Sequence, residues 1–128
     1  MAIDGKFGSG NYFHSKWESY PWHMTILDSP IRLSGVKIFN RRSCCGDRLK
    51  SVEIRAGKQS VPGNFKARIT KNTHCDTFDG PGTTGEIYTV NCDSPIDATV
   101  ITLQIVASGS QSINIEEIEF IEGVSNRK

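Results

Sequence analysis

The chain has 128 residues, 37% of them apolar, and a net charge of +1 from 15 basic and 14 acidic side chains. That length suits one domain with a real core and is too short for two. The near-neutral balance excludes a broad electrostatic footprint for nucleic acid, and no apolar run is long enough for membrane insertion.

In chain order, Met1 leads directly into Ala2-Ile3-Asp4-Gly5, so no secretory signal is expected at this end. From there the periodicity is two almost throughout, and nothing longer than a turn or two reads as helix. Residues 24–27, 31–33, 36–39, 52–55, 65–69, 86–92, 98–106 and 113–121 read as short strands. Turn signals separate them at Asp28-Ser29-Pro30, Pro62-Gly63, Asp79-Gly80-Pro81-Gly82, Asp93-Ser94-Pro95 and Ser108-Gly109-Ser110. Many short strands at this spacing predict an all-β chain, an antiparallel sandwich or barrel. Residues 1–124 are expected to form the domain and 125–128 a frayed polar tail.

One strand breaks its own rhythm. Ile113 and Ile115 share one parity, whereas Ile118 and Phe120 have the other. A bulge at Glu116–Glu117 would return every isoleucine to the core and re-aim a carboxylate.

The most informative stretch is Asn40-Arg41-Arg42-Ser43-Cys44-Cys45-Gly46-Asp47-Arg48, just after a strand-like run. Of the three pairings open to four cysteines, adjacency singles out Cys44–Cys45 and leaves Cys75 with Cys92. Closing the second loop would stabilise by roughly 3 kcal/mol in the chain-entropy model. Two disulfides imply an oxidising, extracellular setting, and four reduced thiols are the alternative. Joined, the adjacent sulfurs form a strained, flat, apolar surface between forked arginine donors. A sugar has a C–H face and a hydroxyl rim, which is what such a surface can hold.

Set beside His14, which precedes Arg41 by a long spacer, this cluster resembles the signature of the F-type lectins, a fucose-binding family. The likeness extends to Ala2-Ile3-Asp4-Gly5, to Pro21-Trp22 and to the positions of Cys75 and Cys92. It implies a discoidin or F5/8C-like jelly roll, lacking the family's usual first strand. His14, Arg41 and Arg48 would hold α-L-fucose, the Cys44–Cys45 disulfide would lie against the ring, and Tyr12 and Phe13 would line the methyl pocket. A neutral imidazole can accept where guanidinium groups only donate, so the trio could read both sides of a hydroxyl. The resemblance also implies a structural Ca2+ held by Asp4, Lys6, Asn11, Glu116 and Glu117, mostly through carbonyl oxygens, as a hard cation prefers.

The chain departs from the family in having Ser43 for the motif's aspartate, His23 for a second tryptophan, and Glu116 where one cysteine of a further disulfide would stand. Arg42 and Lys50 read as solvated face, Trp22 as core, and Trp17 and Tyr20 as contacts for further sugars. The expected function is a secreted, non-enzymatic lectin for fucosylated glycans, acting as a homo-oligomer or as tandem domains of a longer parent. Two rivals are an extracellular interaction module that has lost or altered sugar binding, and a redox switch at Cys44–Cys45.

Overall fold

Valine, isoleucine and leucine recur at alternate positions, so the backbone meets its hydrogen bonds in ladders and presents one apolar face. A computed structural model describes residues 13–14, 18–42, 44–62, 65 and 67–123, with backbone alone at 13, 14 and 18. Eight strands result: β1 (Phe13–His14), β2 (Glu18–Ser19), β3 (Trp22–Asn40), β4 (Val52–Gly57), β5 (Thr73–Phe78), β6 (Ile87–Ile105), β7 (Ser110–Gln111) and β8 (Asn114–Glu122). Six form an antiparallel sheet in the order β1-β8-β3-β6-β4-β5, and β2 pairs with β7. No described helix is long and apolar enough to cross a membrane.

The long strands β3 and β6 make the sheet fold back on itself. Leu33, Val36 and Ile38 of β3, Ile54 of β4, Ile101 and Leu103 of β6, and Ile118 and Phe120 of β8 are all fully buried in one cluster. The part of the sheet bordered by β8 and the part bordered by β4 therefore share a core, which is the antiparallel sandwich expected from the sequence.

Several element boundaries differ from that reading. Residues 24–27, 31–33 and 36–39 are parts of β3, and 86–92 and 98–106 of β6. Ile26 pairs with Val100 and Ile31 with Ala98, so Asp28-Ser29-Pro30 is an excursion within β3 rather than a reversal. Leu33 pairs with Ile96 and Gly35 with Asn91, which leaves Asp93-Ser94-Pro95 as the matching excursion in β6. Proline removes a ladder donor, yet the partner strand carries the direction through.

The described residues among 65–69 form no strand; they belong to a covering segment in which the Phe65 N–H donates to the Pro62 carbonyl. The polar strand β5 was not foreseen. It lies at the sheet edge, fastened to β6 by the Cys75–Cys92 disulfide, with Cys75 1% exposed. The expected bulge is present: Phe39 pairs with Glu117 and Asn40 with Ile115, so Glu116 is passed over, and Ile113, Ile115, Ile118 and Phe120 are all buried.

Candidate functional site

β3 ends at Asn40, and the chain reaches β4 through a loop that carries Arg41, Arg42, Arg48 and the adjacent cysteines. Cys44 and Cys45 are joined as a disulfide across Cα atoms 3.7 Å apart, the spacing of a trans peptide. Cys44 is exposed and Cys45 half-buried, so the sulfur surface faces solvent. Cys45 has φ 67°, in the left-handed region, which costs a non-glycine residue about 1–2 kcal/mol. It caps the single 3-10 turn Gly46–Arg48, closed by the Arg48 and Leu49 N–H groups donating to the Cys45 and Gly46 carbonyls. Leu49 is fully buried and anchors the far end.

What holds this loop is a second one, residues 79–86. The Asn40 side chain, 1% exposed, donates through Nδ2 to the Gly46 carbonyl (3.1 Å) and the Thr83 carbonyl (2.9 Å), while its Oδ1 accepts from the Arg41 N–H (2.8 Å). The Gly46 N–H donates to Thr84 Oγ1 (3.0 Å), Gly85 N–H to the Arg41 carbonyl (2.8 Å), and Gly82 N–H to the Leu49 carbonyl (2.7 Å). A Cβ at Gly46 would lie 2.2 Å from the Thr84 nitrogen and 2.5 Å from its Cα, so the two backbones touch only because residue 46 has no side chain. Glycine here is a matter of contact.

The Arg41 guanidinium donates through Nη1 to Asn114 Oδ1 at 3.0 Å. Asn114 is 1% exposed, and its Nδ2 donates to the Ser112 carbonyl and hydroxyl. In the β1–β8 register the residue opposite Asn114 is His14. Asn114 thus links the candidate arginine to the strand that carries the candidate histidine, although Arg41 and His14 are far apart in sequence. Arg42, expected as solvated face, pairs with the Glu116 carboxylate that the bulge turns toward it. Arg48 is half-buried at the end of the 3-10 turn.

Residues 1–103 match the family model for F5/F8 type C domains, described as a NedA-like, galactose-binding domain. The chain belongs to this family. As an F5/F8 type C domain it is 29% identical over 122 residues to the fucolectin of Anguilla anguilla, spanning 92% of this chain and 72% of that one. Its fold matches a fucolectin from striped bass (Morone saxatilis) serum with a TM-score of 0.70 at 23% identity, over 85% of this chain. The match covers 35% of the bass chain, so this domain spans about a third of that protein. A Streptococcus pneumoniae fucose binding module matches with a TM-score of 0.64 at 17% identity, over 89% of this chain and 75% of that one. The likeness to F-type lectins read from the motif is therefore met by fucolectins among the relatives of this F5/F8 type C domain.

Tyr12, Asp4, Lys6 and Asn11 lie outside the described residues, as do Trp17 and Ser43; His14 and Phe13 are described by backbone alone. Among the described candidates, Arg41, Cys44, Cys45 and Arg48 share one loop of this F5/F8 type C domain, and Glu116 and Glu117 lie at the β8 bulge. Sequence reasoning missed Asn114. Alternation put it on the face opposite Ile113 and Ile115, so its burial at 1% exposure had no signal beyond a polar side chain within an apolar strand. Trp22, expected in the core, is half-buried and donates from Nε1 to the Phe65 carbonyl at 2.9 Å. Tyr20, expected near sugar, is half-buried and its carbonyl accepts from Gln104 Nε2.

Proposed function

We propose that this domain is a secreted, non-enzymatic lectin that binds terminal α-L-fucose at the loop between Arg41 and Arg48. One observation carries the reading: a solvent-facing vicinal disulfide sits between two arginines on a loop pinned at both ends, with Arg41 tied to Asn114 opposite His14. The similarity to fucolectins supports it. In this reading the C–H edge of the sugar rests on the Cys44–Cys45 sulfurs. Arg41 and Arg48 donate to its hydroxyl and ring oxygens, and His14 accepts or donates according to its tautomer. Tyr12 and Phe13 enclose the deoxy methyl group. Donors fixed in place reject a sugar of the wrong hydroxyl orientation, because an unpaired buried polar group costs about 1–3 kcal/mol.

A bound calcium ion is part of the proposal. The bulge spares Glu116 a ladder partner on β3, which suits a carbonyl ligand, while the Glu116 carboxylate is already taken by Arg42. Glu117 would supply the carboxylate and Asp4, Lys6 and Asn11 further oxygens; such a donor set fits a hard cation. When bound, the ion would fix the amino-terminal segment against β8. A rise in melting temperature on adding Ca2+, reversed by chelator, is the expected result; no change would remove the ion from the account.

Single-site sugar binding is weak, so the domain would act in several copies, as an oligomer or within a longer protein. Titration of the oxidised domain with methyl α-L-fucoside is the direct test. Saturable binding that disappears after mild reduction of the exposed disulfide is expected. No binding at millimolar sugar rules the reading out.

A further inference from the structure

The near-neutral total charge conceals a segregation. Residues 54–75 hold five of the 15 basic side chains, Arg55, Lys58, Lys66, Arg68 and Lys71, and none of the 14 acidic ones. β4 and β5 are antiparallel neighbours, so residues 58–72 leave and return at one edge of the sheet. Asn72 ties the two ends together. Its Oδ1 accepts from the Gln59 N–H (3.1 Å) and its Nδ2 donates to the Gln59 carbonyl (2.8 Å). Asn72 has φ 72°, a left-handed conformation that asparagine tolerates better than most residues. Gly57 admits the amide, because a Cβ there would meet Asn72 Oδ1 at 2.3 Å.

One run of hydrogen bonds gathers the cations at this edge. Arg68 and Arg55 both bond Glu53, so two positive charges meet one negative. Arg55 Nη1 reaches on to the Asn72 carbonyl at 3.1 Å. Lys58 and Lys71 directly precede Gln59 and Asn72, so each adjoins one member of the bonded pair. Both lysines are exposed, and neither has an acidic partner among the described residues. Asp76, the next carboxylate along β5, accepts from the Thr77 N–H. Like charges held this close repel one another, and a bound polyanion would relieve that repulsion.

The surroundings choose among polyanions. Phe65 is half-buried, so it offers no open platform for stacking nucleobases. The two large apolar side chains exposed among the described residues, Ile26 and Ile87, lie on β3 and β6, so this edge presents none for membrane insertion. An apolar slot beside Lys71, lined also by Val61, Pro62, Phe65, Ile69 and Thr70, holds about 70 Å³, less than half of the roughly 150 Å³ that accommodates benzene. It therefore takes no acyl chain. Two disulfides suit an oxidising, extracellular setting.

We propose that the edge formed by Lys58, Lys71, Arg68 and Arg55 binds a sulfated polysaccharide, independently of the disulfide loop. The lysines act as point charges toward successive sulfate groups, and the half-exposed Arg68 fork offers paired donors.

The test uses the whole domain with a heparin-derived hexasaccharide, its fully desulfated counterpart, a polyglutamate peptide, and vesicles containing phosphatidylserine. The sulfated chain should bind, and about tenfold more weakly as salt rises from about 50 to about 300 mM. Lys58→Gln/Lys71→Gln should lose about tenfold in affinity, whereas Lys58→Arg/Lys71→Arg should keep it. Arg32→Gln, which removes an exposed charge from β3, should change affinity less than about twofold. No binding of the sulfated chain, or equal binding of the desulfated chain, the peptide or the vesicles, overturns the proposal. So does full affinity in the glutamine variant, lost affinity in the arginine variant, or an equal loss in Arg32→Gln.

Discussion

The loop that carries the disulfide and the covering segment at residues 67–72 are held to the same sheet by partly different physics. The first is fixed by backbone contact at Gly46 and by neutral amide and hydroxyl groups of Asn40 and Thr84. The second is fixed by Gln104, which bonds the Ala67 carbonyl and the Ile69 N–H, and by an ion cluster. In that cluster the Glu53 carboxylate, 4% exposed, accepts from Arg68 Nη2 at 2.6 Å and from Arg55 Nε at 3.1 Å. Neutral bonds and steric contact do not depend on ionisation, so the Gly46 clamp of the disulfide loop keeps its shape across pH and salt. The covering segment shares that protection only at Gln104 and depends on ionisation at Glu53.

The largest effect should come from breaking the steric half of this comparison. Gly46→Ala drives a methyl group into the Thr83–Thr84 backbone, and no flexible side chain is available to yield. Overpacking of this kind costs about 3 kcal/mol, seen as a lower urea midpoint at constant slope. Sugar binding should fall with it. An unchanged midpoint would mean that the two loops can part freely, and that the clamp does not shape the site.

The ionic half is weaker and depends on pH. Burial alone pushes the Glu53 carboxyl up, but hydrogen bonds from Arg68 and Arg55 and their positive charges outweigh it and hold it below its ordinary value of 4.5. A carboxyl lowered in the folded state adds stability that is fully present above its unfolded pKa. That stability is lost as pH falls through the lowered folded value. Arg68 is half exposed and screened by solvent, so Glu53→Gln should cost about 1–2 kcal/mol at neutral pH. Between pH 5 and 3, roughly the carboxylate range, the wild type should lose that advantage and converge on the variant in thermal melts. Parallel stability curves through this window would show that Glu53 is not the acid-sensitive group.

The sequence disclosed these features unevenly. The bulge at Glu116 was legible because parity is a local property, and Ile113 and Ile115 on one side with Ile118 and Phe120 on the other demanded it. The continuity of β3 and β6 was not, because Asp-Ser-Pro looks like a reversal to anything that reads only its neighbours; pairing with the other long strand keeps it straight. β5 hid because Thr73-His74-Cys75-Asp76-Thr77-Phe78 lacks alternation, and its place comes from the edge of β4 and the Cys75–Cys92 bond. Phe65 and Ile69 looked like a strand because both are apolar, yet they are drawn inward as a cover over β4 and β6. At the site, adjacent cysteines and flanking arginines were conspicuous as residue types. Asn40 and Asn114 act through groups brought near by the fold, and no spacing rule announces such partners.

Asn114→Ala gives the smallest stability change and the sharpest reading of the site. The substitution removes the acceptor of Arg41 Nη1 and the donor to Ser112, one strand away from the loop clamp. Asparagine to alanine leaves the β8 ladder intact, so the cost in unfolding free energy should be about 1 kcal/mol. Arg41 then loses one bond that orients its guanidinium, which should weaken fucoside binding about tenfold. The Gly46 clamp is untouched, so proton chemical shifts of residues 45–49 should stay put while those of Arg41 move. A tenfold loss of affinity with an undisturbed loop identifies Asn114 as a positioning residue. Equal affinity in the variant would mean that the arginine is oriented by the loop alone, and the neutral clamp at Asn40 and Gly46 would then account for the whole geometry.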